Sequence, residues 1–456
     1  MPRRVFITGL GPVSGFGFGH APNWQRLLAG ESAFGPVSLF DASAMANPFA
    51  AQAPDYKLRD HVPKSYRKAT KVMSRDIELA VIAAHLAVED AGLHTPGLPT
   101  PPENASTPTY ASERLGCHIG AGLIAADINE LTTALDGSRQ AEHPTQLDLE
   151  HWGREGMQSL TPLWLLKYLP NMLACHVTIL HDARGPSNTI TCAATSGSLS
   201  LGESLRVIQR GHADACLCGG VESKLNPLGY LRQISTGRYA KATPQTDPAT
   251  LVRPFDEDAT GGAIGEGGGI LVLEAEDTFS SRTTSDSSSA GSSPTAYAEV
   301  VGFAATQSVH RSSKNRKPDP TGTGLINAAH AALREAGLGP DDVDLIIPFG
   351  LGDPEYDTAD AAALRSLFGD RLAGIPVLTP KAQVGNTVAG AAAIDLALAA
   401  LILHHQQLPP ILNRDNPLPC FAAPSTVPDT GLNTALLLTT GLGGQNTAVV
   451  LKRVST

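Results

Sequence analysis

The chain has 456 residues, 42% hydrophobic and 17% charged, enough to bury a large core and too long for one simple domain. A formal net charge of −10 and a pI near 5.8 leave no basic footprint for nucleic acid and no polybasic membrane anchor. With 5% aromatic residues and 45 glycines, the interior is expected to pack helix closely against sheet in an α/β architecture.

The apolar opening Val5-Phe6-Ile7-Thr8-Gly9 is broken by glycine too early for a signal sequence, and no later stretch reads as a bilayer span, so a soluble cytoplasmic protein is expected. Cys117, Cys175, Cys192, Cys216, Cys218 and Cys420 are scattered without the spacing of a zinc site or a disulfide scaffold. Segment Ala83 to Leu93 ends a helix on Gly92, and the strand Leu115 to Gly120 follows. The same order returns as Ala328 to Leu338, closing on Gly337, then Val343 to Pro348. The chain thus reads as two related halves, 1–279 and 296–456. The Ser, Thr and Gly-rich stretch 280–295 between them lacks an apolar period and reads as a solvated loop.

Between these landmarks, Ala126, Asn129 and Thr133 share one face at helical spacing. Asn188 to Ala193 is a β-type run, followed by a sharp turn and an apolar-periodic helix through Gln209. Its later counterpart runs Ile375 to Lys381, then Gly385-Asn386, then a helix Ala391 to His404. A strand, turn and helix in an α/β protein is where chemistry sits. Cys216 and Cys218 lie on an apolar strand and are expected in the core rather than on a metal. The glycines from Gly261 to Gly269 mimic a dinucleotide fingerprint but precede the strand Ile270 to Leu273, so no nicotinamide cofactor is expected. His404 and His405 end a helix, where imidazolium suits the dipole.

Four stretches carry a family likeness: Arg3 to Ser14, Arg184-Gly185-Pro186-Ser187, Gly219-Gly220-Val221-Glu222, and Arg253-Pro254-Phe255-Asp256 leading to Gly265-Glu266-Gly267-Gly268-Gly269. In this order they resemble the β-ketoacyl carrier-protein synthases. The resemblance implies a thiolase-like fold, two duplicated halves in five αβαβα layers, with dimerisation through the strand before the nucleophile. Gly219 to Leu231, Gln233 to Arg238 and Val343 to Glu355 look most similar to chain-length factors, the β-subunits of type II ketosynthases.

Condensing enzymes need a thiolate at the turn and two imidazoles for the oxyanion of decarboxylation. By the resemblance, the cysteine falls on Ala194, the first histidine on Phe349 and the second on Asn386, none of which can do that work; Lys381 is retained. Lys381 is expected to form a structural ion pair with Asp357 or Asp360. Cys192, two residues back, is expected roughly 7 Å along the dimer-contact strand and in packing rather than catalysis. The family's gate corresponds to Thr440 to Asn446, with Leu442 where many members have phenylalanine, and its acyl tunnel to the stretch holding Ala126, Asn129 and Thr133. Arg67, Lys68 and Lys71, on an early helix, are candidate carrier-protein contacts.

The sequence therefore points to a non-catalytic subunit that pairs with an active ketosynthase and shapes its tunnel, with acyl carrier protein as a further partner and no cofactor or metal. Three alternatives stand beside it: a malonyl carrier-protein decarboxylase, an atypical ketosynthase acting through Cys192, and a homodimeric scaffold.

Overall fold

Runs of period two become strands and runs of helical period become helices, and the computed structural model describes them over residues 2–98, 108–286, 294–308, 317–419, 421 and 426–454. The strands that matter are β1 (Val5–Ser14), β2 (Leu115–Gly120), β3 (Ser187–Ile190), β4 (Ala215–Glu222), β5 (Gly267–Ala275), β6 (Ala298–Gln307), β7 (Leu345–Ile347), β8 (Thr434–Thr440) and β9 (Gln445–Lys452). They form one path, β7-β8-β9-β6-β1-β5-β4-β2-β3. The two halves of the chain meet in it at β1 and β6, through only Phe6 opposite Glu299 and Ile7 opposite Ala298.

Around this path lie helices α1 (Arg75–Asp90), α2 (Ile128–Gly137), α3 (Met172–His181), α4 (Ser196–Gln209), α5 (Glu276–Asp286), α6 (Thr323–Glu335), α7 (Pro354–Phe368) and α8 (Ala391–His405). Alternation along the strands sorts the apolar side chains into separate cores. Leu217 and Val272 face α1 and α3, whereas Cys216, Cys218 and Leu271 on the same strands face α4 and α8. In the second half Leu436 faces α6 and α7 while Leu437 faces the α4–α8 layer. The order α1/α3, sheet, α4/α8, sheet, α6/α7 is the expected five-layered arrangement, with both core cysteines where they were expected.

A middle layer covered on both faces needs helices apolar all round. Helix α8 meets this requirement, with every residue from Ala391 to Leu403 buried, Asp395 included. The stretch Val388–His405 is long and apolar enough to cross a membrane, with a mean hydropathy of 1.7, and is 89% buried inside the protein. The repeat is present in three dimensions: α1 and α6 occupy equivalent outer layers, and Gly92 and Gly337 follow their ends with φ of 64° and 69°.

Several details differ from the sequence reading. The loop assigned to 280–295 begins as the last turns of α5, while residues 287–293 and Cys420 lie outside the described residues. No strand forms over Ile375 to Lys381; Val377 makes a lone bridge to Ile346. Arg67, Lys68 and Lys71 are exposed on short 3-10 turns rather than on a helix. His404 and His405 end α8 as expected, but burial and neighbouring cations, Arg453 beside His404 among them, push both imidazoles down, against a protonated role.

The outer layer of the first half buries imidazoles. His61 and His85 stack edge to face at 5.4 Å, His176 Nδ1 lies 2.8 Å from the Tyr66 hydroxyl, and His181 Nδ1 lies 2.7 Å from the Thr95 hydroxyl. Burial lowers all four, and fully buried His181 is pushed down to about 3. Because the folded state resists protonation that the unfolded chain accepts near pH 6.5, this stability is whole above that pH and lost below it. Melting temperature should fall as pH is lowered from about 7 to about 5.5. His85→Leu, which removes an imidazole whose buried Nδ1 has no partner, should lose less over the same interval; an equal or larger loss would contradict the assignment.

Candidate functional site

Strand β3 ends at Ile190, and the chain reaches α4 through a tight turn at Ala193–Thr195. Side chains that follow the turn bind back into it. The Cys192 N–H donates to Ser196 Oγ at 2.8 Å, Ser196 Oγ donates to the Ala193 carbonyl at 2.7 Å, and Thr195 Oγ1 donates to the Cys192 carbonyl at 2.7 Å. These bonds hold Ala193 at φ 50°, a left-handed conformation costing about 1 kcal/mol for a residue with a Cβ. The strained turn presents Ala194 to Phe349, Leu351 and Ala391, and the four form a buried apolar cluster. The sequence reading placed Cys192 on the strand. It lies instead at the entry to the turn, as its N-cap and half-buried, because the Thr195 and Ser196 bonds end the ladder two residues earlier.

Phe349 follows β7 and is 1% exposed, with its carbonyl accepting from Thr379 Oγ1 at 3.1 Å. Two cations flank its ring, Lys381 Nζ at 5.4 Å and Arg238 Cζ at 5.8 Å from the centroid. Lys381 is indeed a buried ion pair, but its partner is Asp395 on α8, whose two oxygens lie at 2.5 and 2.6 Å. Burial drives Lys381 down and Asp395 up, and each charge opposes the shift of the other. Asp357 and Asp360 serve elsewhere. Asp357 accepts from the Phe255 and Gly352 N–H groups at 2.9 and 3.0 Å, and Asp360 lies 3.4 Å from the Thr440 hydroxyl. Burial raises Asp357 to about 7 and, with the charge of Asp357 adding to it, Asp360 to about 8.

Asn386 is buried, and both ends of its amide are committed. Oδ1 accepts from the Val388 N–H at 3.0 Å, and Nδ2 donates to the Tyr239 hydroxyl at 3.0 Å. A second buried pair, not foreseen, is formed by Glu222 and Lys224. Glu222 accepts from the Ala389 N–H at 2.8 Å, and Lys224 donates to the Leu123 carbonyl at 2.8 Å. The sequence signal available was the close spacing of Glu222 and Lys224 where the apolar strand β4 ends.

Of the expected tunnel residues, Asn129 and Thr133 are exposed on α2, while Ala126 precedes the helix, since Asp127 caps it by accepting from the Asn129 N–H at 2.8 Å. Asn129 lines a pocket of about 480 Å³ shared with Phe40, Asp76, Ala125, Tyr168 and Asn226; Ala126 and Thr133 do not line it. Leu442 is half-buried in the turn joining β8 to β9. A Cβ at neighbouring Gly441 would stand 3.4 Å from the Cys192 carbonyl, so this turn packs on the Ala194 turn. Among the described residues no group of three or more histidine, cysteine or acidic side chains is arranged to hold a metal.

Comparison with known proteins covers both halves. The family description "Beta-ketoacyl synthase, N-terminal domain" matches residues 2–279, and "Beta-ketoacyl synthase, C-terminal domain" matches residues 297–415. The chain is 32% identical over 456 residues to the actinorhodin polyketide putative beta-ketoacyl synthase 2 of Streptomyces coelicolor, covering 98% of each chain. It is 29% identical to the 3-oxoacyl-[acyl-carrier-protein] synthase 2 of Synechocystis sp., covering 99% of this chain and 98% of that one. Among solved structures, the ishigamide ketosynthase/chain length factor matches with a TM-score of 0.76 at 23% identity over 100% of both chains. A beta-ketoacyl synthase from Burkholderia phymatum matches with a TM-score of 0.78 at 23% identity, covering 99% and 100%. At that identity the structures speak for the thiolase-like fold, while the matched domains and the 32% relative place the sequence itself: this chain belongs to the β-ketoacyl synthase family, the ketosynthases of fatty-acid and polyketide synthesis.

Proposed function

We propose that this chain is a non-catalytic ketosynthase subunit of the chain-length-factor kind, which pairs with an active ketosynthase and bounds the chamber in which the acyl chain grows. The observation that carries this reading is the apolar cluster of Ala194, Phe349, Leu351 and Ala391 at the strained turn. A condensing site needs a nucleophile and oxyanion donors there. A methyl group and a phenyl ring supply neither, and the Asn386 amide is bonded elsewhere. The strain at Ala193 persists without a nucleophile to present, as expected of a turn retained for packing.

The surface supports a partner. Leu123, Ile128, Leu149, Met157, Leu163, Leu165 and Ile179 are exposed by 40–75%, and they precede β3, an edge strand whose other side has no ladder among the described residues. Exposed apolar side chains and an open edge call for cover. A structure with the same fold is titled as a ketosynthase/chain length factor, and another as an acyl-carrier protein in complex with its ketosynthase; both kinds of partner are carried over here as part of the proposal.

The position of Cys192 at the entry to the turn favours one competing reading, an atypical ketosynthase acting through that thiol. Against it, the bonds from Thr195 and Ser196 fix the backbone of Cys192, and no imidazole or carboxylate is paired with its sulfur among the described contacts.

Co-expression with an active polyketide-type ketosynthase and a carrier protein tests the proposal. The two subunits should co-purify in equal amounts and make a product that neither makes alone; a chain that stays a homodimer and leaves the partner's output unchanged would contradict it. In the paired enzyme, Asn129→Trp, which fills the pocket beside α2, should shorten the products, whereas Thr133→Trp, outside its lining, should not. Product mass separates the two variants, and identical product lengths would remove the pocket from the chamber.

A further inference from the structure

The pocket beside α2 has a charge left over in its wall. Asp76, in the first turn of α1 and 3% exposed, lines it together with Arg75 and Ser223. Behind this wall runs a chain of buried charges. Ser223 links two of them, its N–H donating to Asp76 Oδ1 at 3.0 Å and its hydroxyl to Glu266 at 2.7 Å. Arg75 grips both oxygens of Glu266 at 2.7 and 2.6 Å, and Lys224 is committed to Glu222 and the Leu123 carbonyl. Three carboxylates, Asp76, Glu222 and Glu266, therefore stand against two cations, Arg75 and Lys224, and the chain is short of one positive charge.

Pairing assigns the shortfall to Asp76, the one carboxylate of the three that lines the pocket. Glu266 has Arg75 and Glu222 has Lys224, whereas among the described residues no cation forms an ion pair with Asp76. Of the lining cations, Lys167 is spent on Glu130 at 2.5 Å and Arg75 on Glu266. Burial raises Asp76 to about 6, with the charge of Lys224 and the Ser223 N–H opposing the rise, so it is ionised at neutral pH. A buried carboxylate without a counter-ion is costly. Its Oδ2 takes no hydrogen bond from another described residue, yet it is not closed to water.

The rest of the wall decides which kind of cation fits. Phe40, Met73, Ile124 and Leu225 give it apolar surface, which suits a hydrocarbon body. One free carboxylate oxygen is too few ligands to hold a metal ion.

We infer that this pocket binds an organic ammonium, a primary amine on an alkyl or aryl body, with the ammonium on Asp76 and the body against the apolar wall. The inference rests on the wall of this one chain and needs neither a partner subunit nor a silent Ala194 turn.

Calorimetric titration of the full-length chain at neutral pH and constant ionic strength, with hexylamine in one arm and hexanol in the other, tests the site, since the two probes share a body and differ in charge. Saturable binding of hexylamine, at least about tenfold tighter than that of hexanol, is expected from a hydrogen bond to a charged group. Asp76→Asn, which keeps an acceptor for the Ser223 N–H and removes the charge, should bring the two affinities together. Asn129→Trp, which fills the pocket, should abolish binding of either probe. No saturable heat with hexylamine, hexanol binding as tightly or more so, or a folded Asp76→Asn that keeps the preference would overturn the inference. Should Asp76→Asn fail to fold, as its circular dichroism would show, Asn129→Trp decides: loss of hexylamine binding supports the site and its persistence overturns it.

Discussion

The close approach of backbone to backbone at the start of the central helices is the constraint on which the structure depends. A Cβ at Gly220 on β4 would stand 2.3 Å from the Ala389 carbonyl, and one at Gly390 would stand 2.2 Å from the Gly267 carbonyl. Only residues without a side chain let the sheet, the Ala194 turn and the first turn of α8 share that space. The Ala194 turn and the start of α8 both lie at this level, because α4 and α8 begin where the sheet strands end. The same crowding makes the site sensitive to what occupies it. Phe349 fits because Ala194 and Ala391 are small.

Charge is handled around this apolar centre by pairing rather than by solvent. Lys381 is neutralised by Asp395 and Lys224 by Glu222, both in the interior. Such pairs add little net stability when buried, because desolvation offsets attraction, but removing one partner is expensive. Arg238 is the exception, with an edge left unmade. Asp357 and Asp360, raised toward neutrality by burial, contribute stability that is whole below the ordinary carboxylate range, declines as pH rises, and is gone above about 7 and about 8. Between the ordinary carboxylate range and pH 7 these carboxyls therefore oppose the buried imidazoles.

The layers and the turn were legible because apolar period and repeat are properties of local sequence. The α1 and α6 copies, the core placement of Cys216 and Cys218, and the position of Ala194 between strand and helix could all be read that way. Features set by side chains reaching back along or across the chain were not. The end of β3 depends on Thr195 and Ser196 bonding behind themselves, which moved Cys192 from strand to turn. Asp127 starts α2 one residue after Ala126, taking that residue off the expected face. Asp395 is buried on a helix apolar on every side, and apolar period alone gives no reason to choose it over Asp357 or Asp360 as the partner of Lys381. Glu276 and Asp277, at the start of α5, were the sign that the Ser and Thr stretch opens as a helix.

The central claim is that the turn carries no working nucleophile. Intact-protein mass spectrometry after incubation with acyl and malonyl carrier protein, first with this chain alone and then with a ketosynthase partner present, addresses it most directly. The account predicts no acyl adduct on this chain in either case and an adduct on the partner. An acyl group on this chain, mapped to Cys192, would contradict it.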